Sequence, residues 1–136
     1  MPPESEHRAA SGQAKVLLVD DSEDLLELMT VLVQHLCNRP VLAAKSLDEV
    51  ASFADEVLSC ELALLDINLG ADRPSGIDVY RWLRAAGFKA PIVFLTGHAK
   101  SYPLVIEAES LGDAQVLCKP LVSEDLLNII RGRDAK

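Results

Sequence analysis

A chain of 136 residues, 49% hydrophobic and 25% charged, is long enough for one domain and too short for two. Folding at this size buries roughly two-thirds of the unfolded surface, so a core can form without disulfides. A net charge of -8 works against direct nucleic-acid binding, which needs clustered Lys and Arg, and suits cation binding and solubility.

Positions 1–14 are polar, with Pro, Ser and Gly, and read as a flexible leader. Lys15 to Val19 is a first buried strand ending at Asp20-Asp21. Ser22 is placed to cap a first helix, with Glu23 and Asp24 favourable in its first turn. Leu25, Leu28, Met29, Leu32 and Leu36 recur at helical spacing and carry that helix to about Leu36. Val41 to Ala44 is a short second strand. Ser46 and Glu49 form a capping box that opens one continuous second helix to about Leu58.

Leu62 to Asp66 reads L-A-L-L-D, an apolar run buried on both faces that ends in a carboxylate. A loop with Gly70, Asp72 and Pro74 leads to a third helix from Gly76, ending before Gly87, which suits a left-handed cap. Ile92 to Leu95 is a fourth strand, ending at Thr96-Gly97. Pro103 opens a fourth helix that stops at Gly112. Ala114 to Cys118 is a fifth strand, ending at Lys119-Pro120, and a last helix runs from Leu126, capped by Ser123, to about Arg131. The domain is thus expected over 15–132, with a short tail at 133–136.

The odd number and wide spacing of Cys37, Cys60 and Cys118 exclude a disulfide framework and a structural zinc site. They are expected to be small core residues in a reducing cytosol. No apolar run reaches the roughly 18 residues of a membrane span, and Met1-Pro2-Pro3-Glu4 carries no apolar signal segment, so a cytoplasmic chain is expected.

Strands alternating with helices over short connections predict a parallel sheet covered on both faces, a three-layer doubly wound α/β fold. In such a fold all strands end on one edge, where ligands bind. Asp20, Asp21, Asp66, Thr96 and Lys119 all stand at strand ends and are therefore expected to converge, although they span positions 20 to 119. At an effective dielectric of about 20, each pair of like charges at ~4 Å costs on the order of 4 kcal/mol. One lysine cannot neutralise three carboxylates, whereas a hard divalent cation such as Mg²⁺ accepts all-oxygen ligation. Carboxylate, ammonium, hydroxyl and cation together suit an incoming phosphoryl group.

The order Asp20-Asp21, Asp66, Thr96-Gly97, Lys119-Pro120 resembles the receiver domain of two-component response regulators. Thr96-Gly97-His98 and the proline opening the fourth helix are most similar to nitrogen-fixation and LuxR-type regulators. The resemblance implies a flavodoxin-like sheet of order 2-1-3-4-5. It implies that Asp66 is the phosphoacceptor and that Asp20, Asp21, Asp66 and the backbone carbonyl of Asn68 hold Mg²⁺. Thr96 becomes the switch hydroxyl and Lys119 the phosphate-binding cation, with a cis peptide before Pro120. The implied donor is a histidine kinase or phosphotransfer protein. The implied chemistry is self-catalysed phosphoryl transfer with slow autodephosphorylation, not a metabolic enzyme's turnover.

Three departures from the family pattern stand out. The loop from Asp66 to Gly76 is about two residues longer, and the segment from Thr96 to Pro103 about one residue longer. Val116, three before Lys119, stands where receivers usually place the Tyr or Phe that carries the switch. With few residues after the last helix, the output is expected to be a contact with a downstream protein, or a homodimer through the helix 4–strand 5–helix 5 face.

Two other readings differ in class. A phosphorylation-independent interaction module would keep the acidic pocket, and Val116 and the lengthened loops favour it. A Mg²⁺-dependent aspartyl phosphatase lacks its D-x-D after strand one, and a flavin protein lacks a Ser/Thr/Gly-rich phosphate loop there. His98 is read as a solvated loop residue, and Trp82 as a packing residue or a half-exposed anchor.

Overall fold

The computed structural model describes residues 15–70, 72–97, 101–119 and 123–134. The leader, His98 and Pro120, with its expected cis peptide, lie outside the described residues.

The strands are β1 (Val16–Val19), β2 (Val41–Ala44), β3 (Leu62–Asp66), β4 (Ile92–Thr96) and β5 (Ala114–Cys118). The helices are α1 (Glu23–Leu36), α2 in two pieces (Leu47–Ser52 and Ala54–Leu58), α3 (Gly76–Ala85), α4 (Pro103–Ser110) and α5 (Ser123–Asp134). Every strand pair is parallel and the order is β2-β1-β3-β4-β5, as expected.

Alternation along each strand sorts the core into two layers. Leu17, Val19, Ala63, Leu65, Ile92 and Phe94 pack with residues of α2, α3 and α4 on one face. Val16, Leu18, Leu62, Leu64, Val93 and Leu95 pack with Leu26 and Val33 of α1 and Leu126 of α5 on the other. The central strands β1, β3 and β4 are buried throughout, whereas the edge strands β2 and β5 are only half-covered.

Five expectations are corrected here. The second helix is not continuous, because it breaks at Phe53 (φ -109°, ψ 30°). The Ser52 hydroxyl donates to the Glu49 carbonyl at 2.7 Å, offering that carbonyl a partner outside the helical ladder. At the start of that helix, Ser46 Oγ accepts from the Glu49 N–H, but the Glu49 carboxylate takes the Lys45 N–H rather than completing the box at Ser46. The full capping box is at Ser75 and Asp78, opening α3. The last helix is longer than its apolar pattern, with Ser123 already its first residue and its end at Asp134. Cys37 and Cys60 are buried, but Cys118 is exposed, because β5 is an edge strand. Burial pushes the Cys60 thiol up to about 12.

The helical stripe of α1 also divides. Its core-facing residues are Leu26, Val33 and, in part, Met29, while Leu25, Leu28 and Leu36 face solvent. Ser22 caps α1 as expected, its Oγ accepting from the Leu25 N–H at 3.3 Å. Gly87 has φ +101° after the end of α3, the left-handed conformation that glycine adopts without a Cβ penalty.

Candidate functional site

Parallel strands place their ends on one edge. Asp20 follows β1, Asp66 closes β3, Thr96 closes β4 and Lys119 follows β5. The Asp20 N–H donates to the Ala44 carbonyl at 3.1 Å, continuing the ladder past β1. One Asp20 oxygen accepts from the Ser22 N–H at 2.9 Å, so the turn into α1 also orients this carboxylate. Across the sheet, the Lys119 N–H donates to the Thr96 carbonyl at 2.7 Å, drawing the end of β5 against β4.

The side chains converge. Carboxylate oxygens of Asp20, Asp21 and Asp66 all lie within 4.8 Å of one another. Lys119 Nζ stands 3.1 Å from Asp20 Oδ2 and 3.1 Å from Asp66 Oδ1, bridging residues 99 and 53 positions away in sequence. Asp20, Asp66 and Thr96 are buried and Asp21 is exposed.

Electrostatics at this edge is unbalanced. Burial, and then the charge of Asp20, push the Asp66 carboxyl up to about 6 against the opposing pull of Lys119. Burial pulls the Lys119 ammonium down, but Asp66 and Asp20 outweigh it and raise its pKa overall. Among the described residues, three carboxylates and one ammonium leave an all-oxygen donor set with excess negative charge. That donor set fits a hard divalent cation such as Mg²⁺.

The loop after β3 is shaped by close backbone contact. The Gly76 N–H donates to the Ile67 carbonyl at 2.7 Å, which seats the first turn of α3 under Asp66. A Cβ on Gly76 would stand 2.1 Å from the Asp66 carbonyl oxygen, so only glycine fits there. Asn68 lies in this loop with its Oδ1 accepting from the Gly70 N–H at 3.0 Å, an Asx-type turn. Gly70 itself has φ +116°.

Val116 is half-buried in β5 beside Phe94 of β4 and packs against the core of the α3–α4 face. Trp82 packs there too, as expected.

Sequence reasoning missed a second polar group on the same face. The Tyr80 ring tilts on Phe94 with centroids 5.8 Å apart, and its hydroxyl donates to Asp113 Oδ1. Arg84 pairs with Asp113 at 3.1 Å and donates to the carbonyls of Phe88 and Ala90. The Tyr80–Asp113 hydrogen bond raises the Tyr80 pKa and lowers that of Asp113. No local motif connects positions 80, 84 and 113, so only the fold reveals the group.

Residues 16–131 match the model of the response regulator receiver domain. The chain is 31% identical over 121 residues to the response regulator protein TmoT of Ectopseudomonas mendocina, covering 88% of this chain and 52% of that protein. It is 30% identical over 127 residues to TodT of Pseudomonas putida, covering 91% and 53%. The chain therefore spans about half the length of the curated relatives it matches. Among solved structures, the receiver domain protein of Clostridium thermocellum superposes with a TM-score of 0.75 at 26% identity, covering 88% of this chain and 93% of that one. The chemotaxis protein CheY4 of Vibrio cholerae shares the fold, with a TM-score of 0.72 at 24% identity, covering 88% and 98%. The match across nearly the whole chain, on a sheet whose carboxyl edge gathers an acidic pair, a buried aspartate and a lysine, identifies the chain as a member of the response regulator receiver domain family.

Proposed function

We infer that this receiver accepts a phosphoryl group on Asp66 and uses it to bias a protein-interaction surface. One observation carries the reading: Asp66, buried at the end of β3, shares a single acidic cluster with Asp20 and Asp21 and is bridged to Asp20 by Lys119. Asp66 Oδ attacks phosphorus in line as the bond from phosphorus to the donor's imidazole nitrogen breaks, and that nitrogen leaves with the electron pair. Water later attacks the same phosphorus and releases the carboxylate.

Asp20, Asp21, Asp66 and the Asn68 carbonyl hold Mg²⁺ in this reading, and the ion neutralises phosphoryl oxygens when bound. Lys119 supplies the remaining positive charge and Thr96 the hydroxyl that hydrogen-bonds the new dianion. The donor is a histidine kinase or phosphotransfer protein, the output is a downstream protein, and the setting is cytoplasmic.

The test is incubation with a small phosphodonor and Mg²⁺, read by intact mass. The wild type gains one phosphoryl group, whereas Asp66→Asn gains none and EDTA abolishes the gain. An equal gain on Asp66→Asn would overturn the assignment.

Val116 favours a second reading, a receiver-like interaction module indifferent to phosphorylation. Here β5 carries an aliphatic chain packed on the core and no ring to swing inward as Thr96 moves. That reading predicts partner binding unchanged by Asp66→Asn.

A further inference from the structure

Four of the seven large apolar side chains exposed among the described residues lie on α1: Leu25, Leu28, Val31 and Leu36, at 38%, 54%, 48% and 47% exposure. Only Ile106 belongs to α4 and none to β5. The uncovered apolar surface is thus concentrated on α1 rather than on the α4–β5 face. At 3.6 residues per turn, Leu25, Leu28, Leu32 and Leu36 fall within an arc of roughly 80°, a seam about 16 Å long beside the core-facing stripe.

The two halves of this seam differ in shape. Its N-terminal half borders a cleft of about 320 Å³ lined by Leu25, Leu28, Met29, Leu32 and Leu95, with Asp20 and Lys119 completing it. Its C-terminal half projects Leu36, which is not part of the cleft. The helix therefore carries a hollow at one end and a protruding side chain at the other.

We propose that α1 packs antiparallel against α1 of a second copy of this chain, each Leu36 entering the other copy's cleft. A two-fold axis near Val31 sets Leu25 of one copy against Leu36 of the other, Leu28 against Leu32, and Val31 beside its own counterpart. Such an isologous pairing needs no feature that the helix lacks.

Charge fixes the orientation. The acidic residues of α1, Glu23, Asp24 and Glu27, lie in its first half, and the basic residue of its last turn is His35. Asp24, Val31 and His35 share one flank of the seam, within roughly 40° around the helix. The antiparallel pairing sets each Asp24 near the other copy's His35, and a parallel one stacks acids on acids. Each copy also carries a net charge of -8, so the two bodies repel at long range. Screening that repulsion strengthens the pair, and a basic partner on the same face would show the opposite salt dependence.

The experiment is sedimentation equilibrium of the full chain over two decades of concentration, at about 0.05 and 0.5 M salt. A monomer–dimer equilibrium is expected, several-fold tighter at the higher salt. Leu28→Glu and Leu36→Glu each weaken it by roughly tenfold or more, while thermal melts show both variants folded. His35→Lys tightens it several-fold and His35→Glu loosens it. A monomer at every concentration, a dimer untouched by both leucine variants, or a dimer that dissociates as salt rises would each overturn the proposal. The readout is mass alone and does not depend on phosphorylation of Asp66.

Discussion

The two edges of the sheet use the same kinds of side chain to opposite effect. At the amino edge, acids are paired with bases. Lys15 pairs with Glu56, Arg39 pairs with Glu61 at 2.9 Å, and Arg84 ties Asp113 and two carbonyls ahead of β4. Tyr80 adds its hydroxyl to Asp113. At the carboxyl edge, among the described residues, one ammonium faces three carboxylates, two of them buried. The first edge closes the fold, whereas the second holds charge that folding alone does not satisfy. That imbalance is what a cation and a phosphoryl group can relieve, and it marks this edge as the candidate site without reference to any relative.

The largest expected effect comes from disturbing the backbone beneath the unbalanced edge. Gly76→Ala drives a Cβ into the Asp66 carbonyl oxygen and the Ile67 Cα. These are backbone atoms that cannot swing aside, so α3 must shift. Equilibrium denaturation is expected to show a loss of roughly 3 kcal/mol or more, and the small-donor phosphorylation rate should fall with it.

Removing charge from that edge should do the reverse. The Asp66 pKa stands at about 6 in the fold against an ordinary 3.8. A raised carboxyl favours the protonated folded state, so stability is full below about pH 4 and is lost as pH rises through 6. The loss amounts to at most about 3 kcal/mol. In EDTA at pH 7.5, Asp66→Asn should therefore melt above the wild type, and the gap should close below about pH 4. Mg²⁺ should stabilise the wild type at pH 7.5 and do little for it at pH 4. A wild type as stable as the variant in EDTA at pH 7.5 would show the edge to be already balanced.

The balanced edge predicts smaller effects. Arg84→Ala leaves the Phe88 and Ala90 carbonyls without their partner and should cost about 1–3 kcal/mol in chemical denaturation, with Asp66 phosphorylation retained. Lys15→Ala removes a pair whose acid is half-exposed, and a change within about 1 kcal/mol is expected.

Much of this was legible before folding. The apolar runs at 16–19, 62–65 and 92–95 are short and continuous, as strands buried on both faces must be. Ser22 and Gly87 mark helix ends by local hydrogen bonding and local φ. The strand-end residues followed from topology, because parallel strands leave a single edge on which to gather them. The break at Phe53 was hidden, since no Gly or Pro announces it. So was the glycine-only contact at Gly76, which has no positive φ and depends on a strand ten residues upstream. The α1 leucines misled in a different way. A helical period shows that one face is apolar, but not that the neighbouring layer covers it.

By itself, then, the sequence determined the order of elements, the parallel sheet and the residues that gather at its carboxyl edge. Those properties depend on periodicity and on short-range backbone chemistry. Only the tertiary structure decided which apolar faces are covered, which acids find bases, and that Lys119 bridges two carboxylates. Burial and ion pairing depend on residues brought together from distant positions, and their distances exist only once the chain has closed.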